Sequence, residues 1–272
     1  MDINLVNLAA GGAGIGAIMG ITGAGGGILS VPLLVMGIGL PLQQASPIAL
    51  MAISAAAMLA AFIGLYRKNL RYRAAALMAC AGLAGSPLGL LIAARLPSAP
   101  LQALFGGVLV WVAVRGLRKE TVESADNNTE NAPPCRLDPT VGRLVWTNPC
   151  ARALAGSGLL AGFMAGLLGV GGGFVLIPAL QRYTDLDASS IVATSLGVLA
   201  LVTGGSALMA AAGGGVMWAS AIPFVAGAIG GLAAGKLVEP HLRAQSVARA
   251  FSWLALATGA LMLVKALAPL FV

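Results

Sequence analysis

Two runs of glycine carry the most distinctive chemistry in this chain. Gly25, Gly26 and Gly27 stand in G-A-I-M-G-I-T-G-A-G-G-G-I-L-S-V-P, from Gly16 to Pro32. Gly171, Gly172 and Gly173 stand in G-F-M-A-G-L-L-G-V-G-G-G-F-V-L-I-P, from Gly162 to Pro178. Consecutive glycines inside an apolar segment cost a helix about 1 kcal/mol each relative to alanine, and in hydrocarbon the backbone groups they free would be orphaned. Such a break must be buried in protein or face a wet cavity. It leaves the N–H groups of Gly26, Gly27 and Ile28, and of Gly172, Gly173 and Phe174, at the positive end of the helix that follows. Bare amides at a helix start bind anions, so the predicted chemistry is backbone coordination of a small oxyanion. The competing reading is that the glycines only let helices approach closely, which suits Gly16/Gly20 and Gly85/Gly89 better than the triplets.

Thr194 and Ser195, in Ala193-Thr194-Ser195-Leu196, offer side-chain donors early in another apolar segment. Their hydroxyls can face an anion or bond back to their own helix. Thr22, Ser30, Ser46 and Ser54 are lesser candidates of the same kind. A nucleotide loop is excluded, because no Lys-Ser/Thr follows the glycines and no strand precedes them. The nine acidic residues and the single histidine, His241, all fall in loops or at segment ends. Buried carboxylate relays, hydrolytic triads and metal clusters therefore have nothing to stand on, and neither a cofactor nor a metal is expected.

The elements that position these residues follow from composition. Of 272 residues 58% are hydrophobic and only 9% charged, with a mean hydropathy of +0.92. That is too little polar surface for a soluble globule, and apolar runs of spanning length recur along nearly the whole chain. The net charge of +7 is therefore assigned to cytoplasmic loops rather than to nucleic acid. At a fixed offset of 146 residues the glycine stretches align without a gap, and Leu50, Gly85, Gly89, Phe105 and Lys119 meet Leu196, Gly231, Gly235, Phe251 and Lys265. The chain is a tandem duplication whose unit is a whole folding half. Apolar segments at 5–21, 28–40, 46–65, 74–94 and 99–116 repeat at 153–168, 174–184, 190–212, 217–235 and 247–268. Unbroken apolarity without alternation predicts helices. The second segment of each half is shorter than the roughly 20 residues a crossing needs. The expected fold is an all-α integral membrane protein with 8–10 membrane helical segments, divided into a repeat at 1–119, a connector at 120–150 and a repeat at 151–272.

Loop charge sets the orientation. If the repeats were parallel, eleven of the Lys and Arg residues would lie inside and five outside. If each glycine stretch turns the chain back, the repeats are inverted and the count becomes fourteen against two, Arg95 and Lys265. Inverted repeats with both ends outside the cytoplasm are therefore predicted. The polar, acidic connector reads as a mobile surface loop, and the Asn127-Asn128-Thr129 sequon within it as a chance triplet. Cys80, Cys135 and Cys150 show no metal or disulfide spacing, and Cys80 reads as a small packing residue.

The duplicated G-x-x-G-x-G-G-G-x-x-x-x-P at Gly20–Pro32 and Gly166–Pro178, with I-V-A-T-S-L at 191–196 and G-x-x-x-G at 85–89 and 231–235, resembles the TauE/SafE family of bacterial sulfite exporters. The first half departs from it, carrying Pro47-Ile48-Ala49-Leu50 where the second has the hydroxyl pair, so any pocket is chemically asymmetric. The resemblance implies a multi-pass permease of the bacterial inner membrane that exports sulfite or an organosulfonate and is not an enzyme. The expected partners are the anionic substrate and the lipid bilayer, without nucleic acid and with a homodimer left open. A passive anion channel and a non-transporting scaffold are the rival readings.

Overall fold

A computed structural model describes residues 5–122, 135, 137–138, 143–144, 146–213, 216–239 and 244–267. Helix α1 (Leu5–Thr22) runs into a 3-10 stretch (Gly23–Leu29), a short α2 (Ser30–Pro32) and a π turn (Leu33–Gly37). There follow α3 (Leu42–Tyr66), α4 (Tyr72–Arg95), α5 (Ser98–Val122), α6 (Asn148–Leu168), α7 (Gly173–Tyr183), α8 (Ala188–Ala212), α9 (Trp218–Val238) and α10 (Ala244–Leu267). Eight of these are long and apolar enough to cross a membrane, so the chain is an all-helical, multi-pass membrane protein. Among the described residues the β structure is one two-residue ribbon, Leu137–Asp138 against Arg143–Leu144, and an isolated bridge from Cys135 to Thr184.

Several helices begin earlier than their apolar runs because caps set their starts. Thr147 accepts the Cys150 N–H at 3.3 Å, and Pro149 occupies a first-turn position that needs no donor, so α6 opens at Asn148. Asp187 caps α8 by accepting the Ser190 N–H at 3.2 Å. The Ser189 hydroxyl donates to the same carboxylate and, together with Ser190, lowers the Asp187 pKa from 3.8 to about 2.

The packing follows the duplication. A Cβ added at Gly12 or Gly16 of α1 would fall on the carbonyls of Phe224 or Ala228 in α9, and one at Gly20 would lie 2.7 Å from the Leu232 carbonyl. Rising numbers on both partners make α1 and α9 parallel. In the other half Gly158, Gly162 and Gly166 of α6 meet Met78, Gly82 and Ser86 of α4 in the same way. These are small-residue stripes in which backbones touch, so the packing reading of Gly16, Gly20, Gly85 and Gly89 holds. Helix α3 lies on its repeat mate α8, and α5 on its mate α10. On the α3–α8 line the Ser54 hydroxyl donates to the Ala200 carbonyl at 3.1 Å, a bond between positions that are repeat mates. Both hydrophobic clusters draw on both halves, one gathering Met19, Ile53 and Leu199 and the other Leu8, Phe105 and Phe224.

Two cysteine expectations fail. Cys135 and Cys150 form a disulfide, and both are fully buried. Their separation of 15 carries no signal in sequence; the Cys135–Thr184 bridge is what seats Cys135 beside the start of α6. Cys80 is free and exposed on the outer side of α4 instead of packed. The sequon, His241 and most of the connector lie outside the described residues.

Candidate functional site at the two glycine turns

The second turn breaks the helix outright. Gly169 ends α6 at φ +71, and Gly171 and Gly172 follow at +78 and +67, a left-handed run in which a side chain would be strained. Gly172 then serves as the N-cap of α7 without any side-chain cap. The first backbone bonds of α7 come from Val175 (3.0 Å) and Leu176 (3.3 Å) to the Gly172 carbonyl. The amides of Gly173 and Phe174 thus precede the first intrahelical bond of α7. Thr184, just past α7, bridges to Cys135, which is bonded to Cys150 in the first turn of α6. So α6 and α7 form a hairpin whose two ends lie together. Eleven residues give α7 a length of about 16 Å, half the hydrocarbon thickness.

The first turn differs in conformation. Gly23, the mate of Gly169, is left-handed at φ +76, but Gly25, Gly26 and Gly27 lie within the 3-10 stretch. A 3-10 helix bonds each N–H to the carbonyl three residues back, so here the amides of Gly26, Gly27 and Ile28 belong to a closed coil. The Ser30 N–H continues the pattern onto the Gly27 carbonyl. This arm also doubles back, because Leu33 returns to Gly11, within 2.9 Å of where a Cβ there would sit.

The two turns converge on one residue near the middle of α3. A Cβ on Gly27 would meet Ile53 at 3.2 Å, and one on Gly171 would meet the same side chain at 3.3 Å. Gly171 also faces Thr203 (2.8 Å) and Leu199 (2.9 Å), while Gly23 faces Val192 (2.7 Å). Gly172 is held by a different neighbour, the Ala161 carbonyl, on which its Cβ would fall. Space at Gly172 is therefore claimed by the α6 backbone.

The predicted hydroxyls are buried and have protein partners. Ser195 donates to the Val192 carbonyl at 2.9 Å, and Thr194 accepts the Arg71 N–H at 3.2 Å, fastening the α3–α4 loop to α8. Thr22, Ser46 and Thr203 bond back to their own helices. Ser30 stands apart: it is fully buried, and among the described residues its Oγ has no hydrogen-bond partner. Its repeat mate is Leu176, which fills the same place with carbon. Sequence reasoning ranked Ser30 below Thr194 and passed over Ile53 and Thr203; the 146-residue register, applied to Ser30, would have marked it as the polar member of an otherwise apolar pair.

The description Sulfite exporter TauE/SafE belongs to the family whose model matches residues 8–262. Two proteins described as probable membrane transporter proteins, from Xylella fastidiosa strains 9a5c and Temecula1, are 29% and 28% identical over 244 residues, covering 88% of this chain and 86% of each relative. No solved structure matches the chain significantly.

Proposed function

Given that the chain belongs to the sulfite exporter TauE/SafE family, we propose that it is a secondary transporter exporting a small sulfur-containing oxyanion, sulfite or an organosulfonate, across the bacterial inner membrane by alternating access. The observation that carries this reading is the meeting of both glycine turns on Ile53, midway along the central α3–α8 pair. Gly171, Gly172 and Gly173 supply the open amide end, Gly25, Gly26 and Gly27 its closed counterpart, and Ser30 the unspent hydroxyl. Thr194 and Ser195 line the approach beside the α3–α4 loop.

The hairpins support inverted repeats. Each contributes no net crossing, leaving α3, α4 and α5, or α8, α9 and α10, to give three. The connector, the α3–α4 loop and the ends of α7 and α9 then share a face, with Arg95 and Lys265 opposite. Alternating access follows when the two turns exchange their open and closed forms, which the inverted arrangement makes equivalent in fold though not in side chains. Sulfite efflux from proteoliposomes tests the reading. Saturable flux that falls when Gly171 is replaced by leucine supports it. Unsaturable conductance indicates a passive channel, and a folded protein that neither binds nor moves the anion ends the proposal. Cysteine labelling that puts positions 182 and 236 on the face opposite 67 removes the inverted topology.

A further inference from the structure

A cleft of ≈ 590 Å³ opens between α5, α6 and α7, on the outer side of α7 just past the second glycine turn. Three arginines from three helices converge on it: Arg115, Arg152 and Arg182. All three are exposed, and none forms an ion pair with a described carboxylate. Arg115 lies over the Trp111 ring, 5.3 Å from its centroid. The remaining wall is chiefly apolar and includes Met164 and Phe174. Arg152 and Met164 are twelve residues apart on α6, which sets rim and floor about 18 Å apart along the membrane normal.

Loop orientation alone explains arginines on this face. It does not explain their convergence on one cleft, and neither does the fold, because the repeat register replaces each cation with an uncharged apolar side chain. The mates of Arg115, Arg152 and Arg182 are Leu261, Val6 and Met36, and the mate of Trp111 is Ala257. A small hydrated anion gains nothing from a long apolar wall. An amphiphile with a phosphate at one end matches both parts, since guanidinium groups bind phosphate oxygens in fork geometry and basic pockets between membrane helices hold anionic headgroups. We propose that this cleft binds an anionic phospholipid of the adjoining leaflet, its headgroup phosphate on Arg115, Arg152 and Arg182 and one acyl chain along Trp111, Met164 and Phe174.

The test uses the full chain in detergent. Phosphatidylglycerol, phosphatidylcholine of the same acyl chains and inorganic phosphate are titrated in parallel while Tm is followed, because a ligand of the folded state stabilises by mass action. Phosphatidylglycerol is expected to raise Tm by several degrees more than phosphatidylcholine. The variant carrying R115Q, R152Q and R182Q is expected to lose that difference while keeping its response to phosphatidylcholine. A second measurement needs no arginine change: brominated phosphatidylglycerol should quench tryptophan fluorescence at a lower mole fraction than brominated phosphatidylcholine, and Trp111→Phe should remove the excess. Equal responses to the two lipids, or a preference that survives in the triple variant, overturn the proposal. So does a shift reproduced by inorganic phosphate, which would make the cleft a free-anion site.

Discussion

Replacing Ser30 by alanine should strengthen the empty protein and weaken its grip on substrate. The Ser30 hydroxyl is fully buried with no partner, a condition that costs about 1–3 kcal/mol in protein mutational data. Ser30→Ala removes that cost and leaves a void of one oxygen atom, worth a few tenths of a kcal/mol. The net gain of about 1–2 kcal/mol corresponds to an upward Tm shift of roughly 2–8 °C for a chain of this length. An anion seated at the turns would take the hydroxyl as a charge-assisted donor, a bond worth about 1.5–3 kcal/mol. Its loss should weaken binding about ten- to hundredfold. Both effects are read in one thermal-shift experiment with purified protein: the variant starts higher, and sulfite or sulfoacetate raises its Tm less than that of the wild type. A variant that starts lower would mean the hydroxyl already has a partner. Unchanged affinity would mean that Ser30 does not touch the anion, and the placement of the pocket would have to be given up.

Three further outcomes are expected. Gly172→Ala should destabilise by at least the roughly 1–2 kcal/mol of a left-handed L-residue, and by more because its Cβ meets the Ala161 carbonyl, whereas Gly230→Ala, with nothing near its Cβ, should stabilise α9 by about 1 kcal/mol; paired unfolding curves decide. Because the Asp187 pKa is depressed in the folded state, its capping contribution is fully present above pH 4 and is lost as pH falls toward about 2. Asp187→Asn, which caps without titrating, should flatten the stability profile over that window. Finally, the Cys135–Cys150 disulfide lies at the start of α6, two residues before Arg152, at the end that the proposed topology puts in the reducing cytoplasm. Acid-quenched alkylation of growing cells tests that orientation: a pair still reduced in the cells supports it, and a disulfide already formed there reverses it.

The helical class, the duplication and the break at each glycine stretch were legible in the sequence because each rests on local composition. Hydrophobic runs of spanning length dictate helices in lipid, and a gap-free register of 146 residues needs no coordinates to be seen. The close-packed stripes on α1 and α6 were legible for the same reason. Their partners were not, since α1 packs on α9 and α6 on α4, each across the repeat boundary. Nor could the register show that its two turns differ, one a closed 3-10 coil and the other a left-handed run, because near-identical glycines permit both and their neighbours choose. The Cys135–Cys150 pairing, the exposure of Cys80 and the solitude of the Ser30 hydroxyl belong to the same group. Each depends on which residues distant in the chain arrive alongside, and that is settled by packing across the whole bundle.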